Sequence, residues 1–175
     1  METTATYWEP RIKTYGFQTL TGLSLLEVTI DPGRMASLGR ALVQMGEKNI
    51  HSHLVFSRPS PDGLKVCFLI QRDLEHLAAE HLEQPLQQDV DRFAYRTSSA
   101  ELVFFQGPHF GDRYGIADVA VEALASGGVE VTAIACSGAC VYIVLPQGKS
   151  KEAMVVLSRT FEIPKVSLDK HCVRI

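Results

Sequence analysis

At 175 residues the chain holds one ordinary domain or two small ones, since domains run to about 100–200 residues. Hydrophobic residues are 46% and charged residues 21%, which fits a soluble globular protein with a packed core and excludes a disordered or collagen-like chain. Lys and Arg number 17 against 20 Asp and Glu, a net charge of −3, so neither nucleic acid nor a membrane surface is an expected partner.

The opening METTATYWEP has neither the basic start nor the apolar stretch of a secretory signal, so a cytoplasmic protein is expected. LSLLEVTIDPG at 23–33 is an apolar, strand-like run ending in a turn. Next comes RMASLGRALVQMGEKN, where Met35, Leu38, Leu42 and Met45 fall at helical spacing and Gly46 marks a stop. IHSHLVFS at 50–57, the turn RPSPDG, LKVCFLI at 64–70 and the helical stretch QRDLEHLAAEHLEQ complete the pattern strand, helix, strand, strand, helix. Residues 84–100, QPLQQDVDRFAYRTSSA, lack a sustained apolar period and read as a linker.

The second half repeats this order. ELVFFQ at 101–106 leads through GPHFGDRYG into the helix IADVAVEALASGG, then VEVTAIAC, Ser137-Gly138, ACVYIVLP and a helix from about Lys149 to Phe161. The apolar window 129–146 is interrupted by Glu130, Ser137-Gly138 and Pro146, so it reads as two strands around a turn and not as a membrane span. Gly33 and Gly46 are 13 residues apart, as are Gly115 and Gly128, which suggests duplication. FAYRT at 93–97 can supply a fourth strand to the first unit, and KVSLD at 165–169 or CVRI at 172–175 one to the second. The expected fold is α+β, two ferredoxin-like βαββαβ units in tandem at 12–97 and 98–175. Open sheet faces and edges in such small units favour a homodimer.

The four cysteines, Cys67, Cys136, Cys140 and Cys172, show no paired metal-ligand spacing and are expected as reduced thiols. His51 and His53 share a strand face without further ligands nearby, so no metal site is implied. No nucleophile elbow, zinc-protease helix or phosphate-binding GxxxxGK[ST] loop is present.

These residues carry a resemblance. A strand running into Asp31-Pro32-Gly33 and a helix, then the loop-and-helix stretch GPHFGDRYGIADVAVEALASGGVEV followed by AIACSGACVYIVLP, resembles tandem ACT domains, specifically the regulatory C-terminal region of aspartokinases, over about residues 12–163. The resemblance implies a regulatory protein that binds a small molecule, most naturally an amino acid. The aspartokinase catalytic domain is absent, so no enzyme activity and no cofactor are implied; a separate catalytic chain is a possible partner. The resemblance also implies that the strand at 12–22 can join the sheet of the second unit. Its alternative reading is a structural subunit that binds nothing small.

An amino-acid binder needs donors for a carboxylate, an acceptor for an ammonium and an apolar wall. Candidate ligand contacts are Asp31, Pro32, Gly33, Arg34 and Met35 at the first strand-to-helix loop, and Gly107, His109, Phe110, Asp112, Arg113, Gly115 and Ile116 at the second. Asp31 and Asp112 can take an ammonium, Arg113 a carboxylate, and Phe110 or Tyr114 an apolar side chain. Asp31-Pro32-Gly33 can equally be a turn that caps its helix. Asn49 matches an asparagine of the family in the first unit only, and Ser137 matches its serine, able to bond a ligand or only its own turn.

Overall fold

The computed structural model describes residues 11–87 and 95–163. Its elements are β1 (Phe17–Ile30), α1 (Met35–Glu47), β2 (Ser52–Ser60), β3 (Gly63–Gln71), α2 (Glu75–Gln87), β4 (Tyr95–Gln106), α3 (Ile116–Ser126), β5 (Ala133–Ser137), β6 (Cys140–Pro146) and α4 (Ser150–Thr160). This is an α+β chain in which strand, helix, strand, strand, helix occurs twice. Its described residues form two compact units, each composite in sequence: Leu20–Leu102 with Val144–Gly148, and residues 11–19 with Val103–Ile143 and residues 149–163. The sequence repeat instead gives consecutive blocks at 12–97 and 98–175.

In the unit containing α1 and α2, the strand order is β2-β3-β1-β4. Antiparallel β1 and β3 place Val28 opposite Val66, Leu26 opposite Phe68 and Ser24 opposite Ile70. Side chains two apart share a face, so Leu26, Val28 and Ile30 join Val66, Phe68 and Ile70 in one buried layer. Leu38, Ala41 and Met45 of α1 and Ala78, Ala79, Leu82 and Leu86 of α2 close over it. Each such fully buried large side chain contributes about 1.5–3 kcal/mol. The stripe on α1 differs from the expected one: Met35 is 50% and Leu42 38% exposed, because Ala41 occupies the inward position between Leu38 and Met45.

The described parts of the expected linker, residues 84–87 and 95–100, are regular structure. The buried spacing of Ala79, Leu82 and Leu86 carries α2 through Gln87, and residues 95–100 begin β4. FAYRT is therefore no separate strand; its residues 95–97 run continuously into ELVFFQ. Polar Arg96, Ser98 and Ser99 are exposed, so this half of the strand has no apolar alternation to reveal it. The strand expected at 12–22 likewise runs on, from Phe17, into β1. KVSLD and CVRI lie outside the described residues.

The unit containing α3 and α4 is built around four phenylalanines. Phe105 lies 5.0 Å from both Phe17 and Phe161 and 5.7 Å from Phe110, centroid to centroid. The strand order here is β1-β4-β6-β5, with only the first residues of β1 taking part. Thr14 N–H donates to the Glu162 carbonyl and Glu162 N–H to the Ile12 carbonyl, both at 2.9 Å. The Arg11 guanidinium donates to the carbonyls of Ser158, Thr160 and Phe161 at 3.2, 3.3 and 2.7 Å, satisfying acceptors that the end of α4 leaves open.

The glycine spacing is not a match of like positions. Gly46 lies inside α1, whereas Gly128 follows α3 with φ 69°. The counterpart of Gly128 is Asn49, also left-handed at φ 56°: Ile50 N–H donates to Met45 and Val129 N–H to Leu124, each at 2.9 Å. Asn49→Gly should therefore leave thermal stability unchanged or raise it, while Asn49→Val should lower it by about 1–2 kcal/mol.

Candidate functional site

The loop from β4 to α3 has a fixed shape for local reasons. A Cβ on Gly107 would come within 2.3 Å of the Lys13 carbonyl oxygen and 2.4 Å of the Phe110 ring, so only glycine fits between them. His109 is left-handed at φ 63°, and its carbonyl accepts from Asp112 N–H at 3.0 Å and Arg113 N–H at 2.8 Å, folding the loop back. Phe110 is 7% exposed and meets Phe105 edge-on, which anchors the loop in the core. Gly115, with φ 81°, turns the chain into α3 and supplies no side-chain cap.

Between this loop, the start of α3 and the β5–β6 turn lies a cavity of about 220 Å³. Phe110, Arg113, Tyr114, Gly115, Ile116 and Ala117 line one side, and Cys136, Gly138, Ala139, Cys140 and Val141 the other. The first N–H groups of an α-helix have no acceptor within the helix, so the entry to α3 presents donors and the positive end of the helix dipole. Arg113 lines this same side of the cavity. Phe110, Ile116 and Val141 make the remainder apolar.

Of the expected contacts, Phe110, Arg113, Gly115 and Ile116 come together here. Gly107, His109 and Asp112 shape the loop without lining the cavity, and Asp112 is exposed. Ser137 is exposed at the end of β5, between the lining residues Cys136 and Gly138. The first loop is arranged differently. Asp31 Oδ1 accepts from Gly33 N–H at 2.7 Å, which is the capping role, and Pro32–Arg34 form a 3-10 turn. Arg34 donates to the Leu86 carbonyl at 2.9 Å and Met35 is half exposed. Asn49 serves as the helix-end residue described above.

Sequence reasoning missed the wall formed by Ala139, Cys140 and Val141; the Cys136-x-x-x-Cys140 spacing around a turn was the available signal. Cys140 also sits beside Tyr142, whose phenol it raises above its usual value by hydrogen bonding. Among the described residues no group of three or more His, Cys, Asp or Glu side chains is placed to hold a metal ion, and no helix is long and apolar enough to cross a membrane. His53 is engaged with the Gln71 amide at 3.0 Å.

The first of the two units holds a different polar group. Glu27 lies opposite Cys67, its carboxylate 3.6 Å from Cys67 Sγ, 3.4 Å from Arg58 and 4.0 Å from Lys65. Burial, with the Glu27 carboxylate second, pushes the Cys67 thiol up from 9.0 to about 11.

No protein-family model matches the sequence, and no curated protein does. Solved structures do match its fold. The regulatory subunit of aspartate kinase from Thermus flavus is 15% identical, with 86% of this chain and 99% of that chain covered and a TM-score of 0.72. The ligand-free regulatory subunit of aspartate kinase from Thermus thermophilus is 18% identical over 85% and 99%, with a TM-score of 0.71. The C-terminal regulatory domain of aspartate kinase from Porphyromonas gingivalis W83 is 15% identical over 83% and 96%, with a TM-score of 0.62. The chain thus has the fold of aspartokinase regulatory subunits and domains, an α+β fold of antiparallel strands and four helices.

Three outcomes check this geometry. Gly107→Ala should destabilise the chain by about 1–3 kcal/mol in a denaturant titration, while Gly111→Ala, where a Cβ meets open space, should change stability by less than about 0.5 kcal/mol. At pH 8, iodoacetamide should alkylate exposed Cys136 readily and buried Cys67 only on unfolding, as read by mass spectrometry. Because the folded thiol of Cys67 ionises later than the unfolded one, its contribution to stability is complete below about pH 9 and falls as pH rises toward 11; replacement by Ala should flatten that alkaline decline.

Proposed function

We propose that this chain is a non-catalytic regulatory protein of the ACT type that binds a free amino acid in the cavity at the start of α3. One observation carries the reading: Arg113, Gly115 and Ala117 at the entry to α3 line the same 220 Å³ space as Phe110, Ile116 and Val141. A carboxylate is suited to the first set and an apolar side chain to the second. The fold shared with aspartokinase regulatory subunits supports a regulatory role, and one solved neighbour is described as aspartokinase III of E. coli in complex with lysine and aspartate. Another comprises aspartokinase alpha and beta subunits, which supports a catalytic chain as the partner. In this reading the protein is cytoplasmic, forms a homodimer, and conveys ligand occupancy to that partner. The loop at Asp31–Met35 supplies a helix cap in the first unit, and the ligand contacts come from the second.

The test is a thermal-shift screen against the twenty amino acids, followed by calorimetric titration of any hit. A ligand that binds only the folded chain raises its midpoint. Arg113→Ala, shown to be folded, should weaken binding about tenfold to a hundredfold, the loss of one charged contact of about 1.5–3 kcal/mol. Asp31→Ala should leave affinity unchanged and lower stability by about 1 kcal/mol. Parent-like binding by Arg113→Ala would remove the site. If no amino acid shifts the midpoint, the chain is instead a structural subunit, identified by co-sedimentation with a catalytic partner without ligand.

A further inference from the structure

The unit containing α3 and α4 has a second cavity, of about 330 Å³, that the proposed amino-acid site does not use. Side chains alternate along β4 and β6. Val103, Phe105, Val141 and Ile143 are buried, whereas Phe104, Gln106, Cys140 and Tyr142 point the other way and are half-buried or exposed. Phe104 and Tyr142 stack across the two strands, with ring centroids 5.9 Å apart and planes 20° from parallel. Tyr15, Gln18 and Gln106 also line the cavity, and Phe17, which packs on Phe105, borders it. Tyr15 is 64% exposed, a large aromatic surface left in water.

We propose that this cavity is a binding site for a small planar aromatic molecule of one or two rings with a polar edge. The walls present aromatic faces and edges at which a flat ring can make offset or T-shaped contacts, and aliphatic guests lack the complementary quadrupole. Two amides and two phenol hydroxyls offer both donors and acceptors, which suits a guest carrying one of each at its rim. No charged side chain is among the lining residues, so the part of the guest that enters is neutral. The volume lies at the small end of ligand sites, about 300–1,000 Å³, which suits a single- or double-ring molecule and not a folded peptide segment. Only Cys140 lines both this cavity and the one at α3, so the two can be occupied independently.

The probe is indole, titrated into isotope-labelled protein and followed by amide and ring resonances, with cyclohexanol as the non-aromatic control. Saturable shifts are expected at Gln18, Phe104, Gln106 and Tyr142, with intermolecular NOEs from indole to the Phe104 and Tyr142 rings and much weaker effects from cyclohexanol. Phe104→Leu and Tyr142→Leu, which keep an apolar side chain on each strand, should weaken indole binding at least about tenfold. Parent-like affinity in both folded variants would overturn the proposal. So would equal binding of cyclohexanol, or shifts confined to Tyr114–Ala117. Should a variant fail to fold, the NOEs in the parent chain decide, and their absence is sufficient to reject the site. Because the readout is by residue, failure here leaves the amino-acid site at α3 standing, and the reverse also holds.

Discussion

Phe105 lies against Phe17, Phe161 and Phe110 at once, and that contact determines whether the β4–α3 loop has a shape at all. A loop of nine polar and glycine-rich residues would otherwise lose little by moving, since exposed connections make few buried contacts. Phe110 gives this one a buried anchor, and Gly107 lets the backbone approach the Lys13 carbonyl closely enough for the anchor to reach. The cavity wall is thus tied to the core by packing. Arg113 and Gly115 are positioned through the backbone turn closed on the His109 carbonyl, so core packing and site geometry are one constraint in this unit.

The two strand-to-helix junctions are built differently. A helix start leaves backbone N–H groups without acceptors within the helix. Before α1 the chain first makes the 3-10 turn Pro32–Arg34, which Asp31 caps by accepting from Gly33 N–H, while α1 itself has no side-chain cap. Before α3 the corresponding residue is Gly115, which has no side chain to offer. There the first residues of the helix, Ile116 and Ala117, line the cavity together with Gly115.

Much of this order is legible in the sequence because burial imposes periods on it. The run Leu26, Val28, Ile30 alternates against Val66, Phe68, Ile70, and the repeated strand, helix, strand, strand, helix pattern follows from such runs. The long strands were harder to read. β4 begins with exposed Arg96, Ser98 and Ser99, where solvent on the side chains removes the apolar signal while the backbone pairing persists. Helix ends misled in another way, since Asn49 tolerates the left-handed conformation that Gly128 adopts, and matching glycine to glycine aligned the wrong positions. In the candidate site, the loop residues Phe110, Arg113, Gly115 and Ile116 could be singled out from composition and placement. Ala139 and Val141 could not, because a small residue at a turn and an apolar residue on a strand look the same whether or not a cavity lies beside them.

A site with these components leaves a faint sequence signature for a physical reason. Backbone N–H groups at a helix start are available whatever the residues there, provided the preceding position can turn without a side chain in the way. Recognition of a carboxylate can thus persist while side chains change, which is compatible with a shared fold at 15–18% identity to the Thermus regulatory subunits. Discrimination among amino acids cannot come from that common part, because every free amino acid has the same carboxylate. In the proposed reading it comes from the apolar lining, Phe110 and Ile116 on the side of Arg113 and Val141 on the other, with no acidic residue among the lining positions. In that reading a branched or aromatic side chain would gain about 25 cal/mol for each Å² removed from water. In the proposed reading the apolar lining of the cavity therefore suits an amino acid with an apolar side chain.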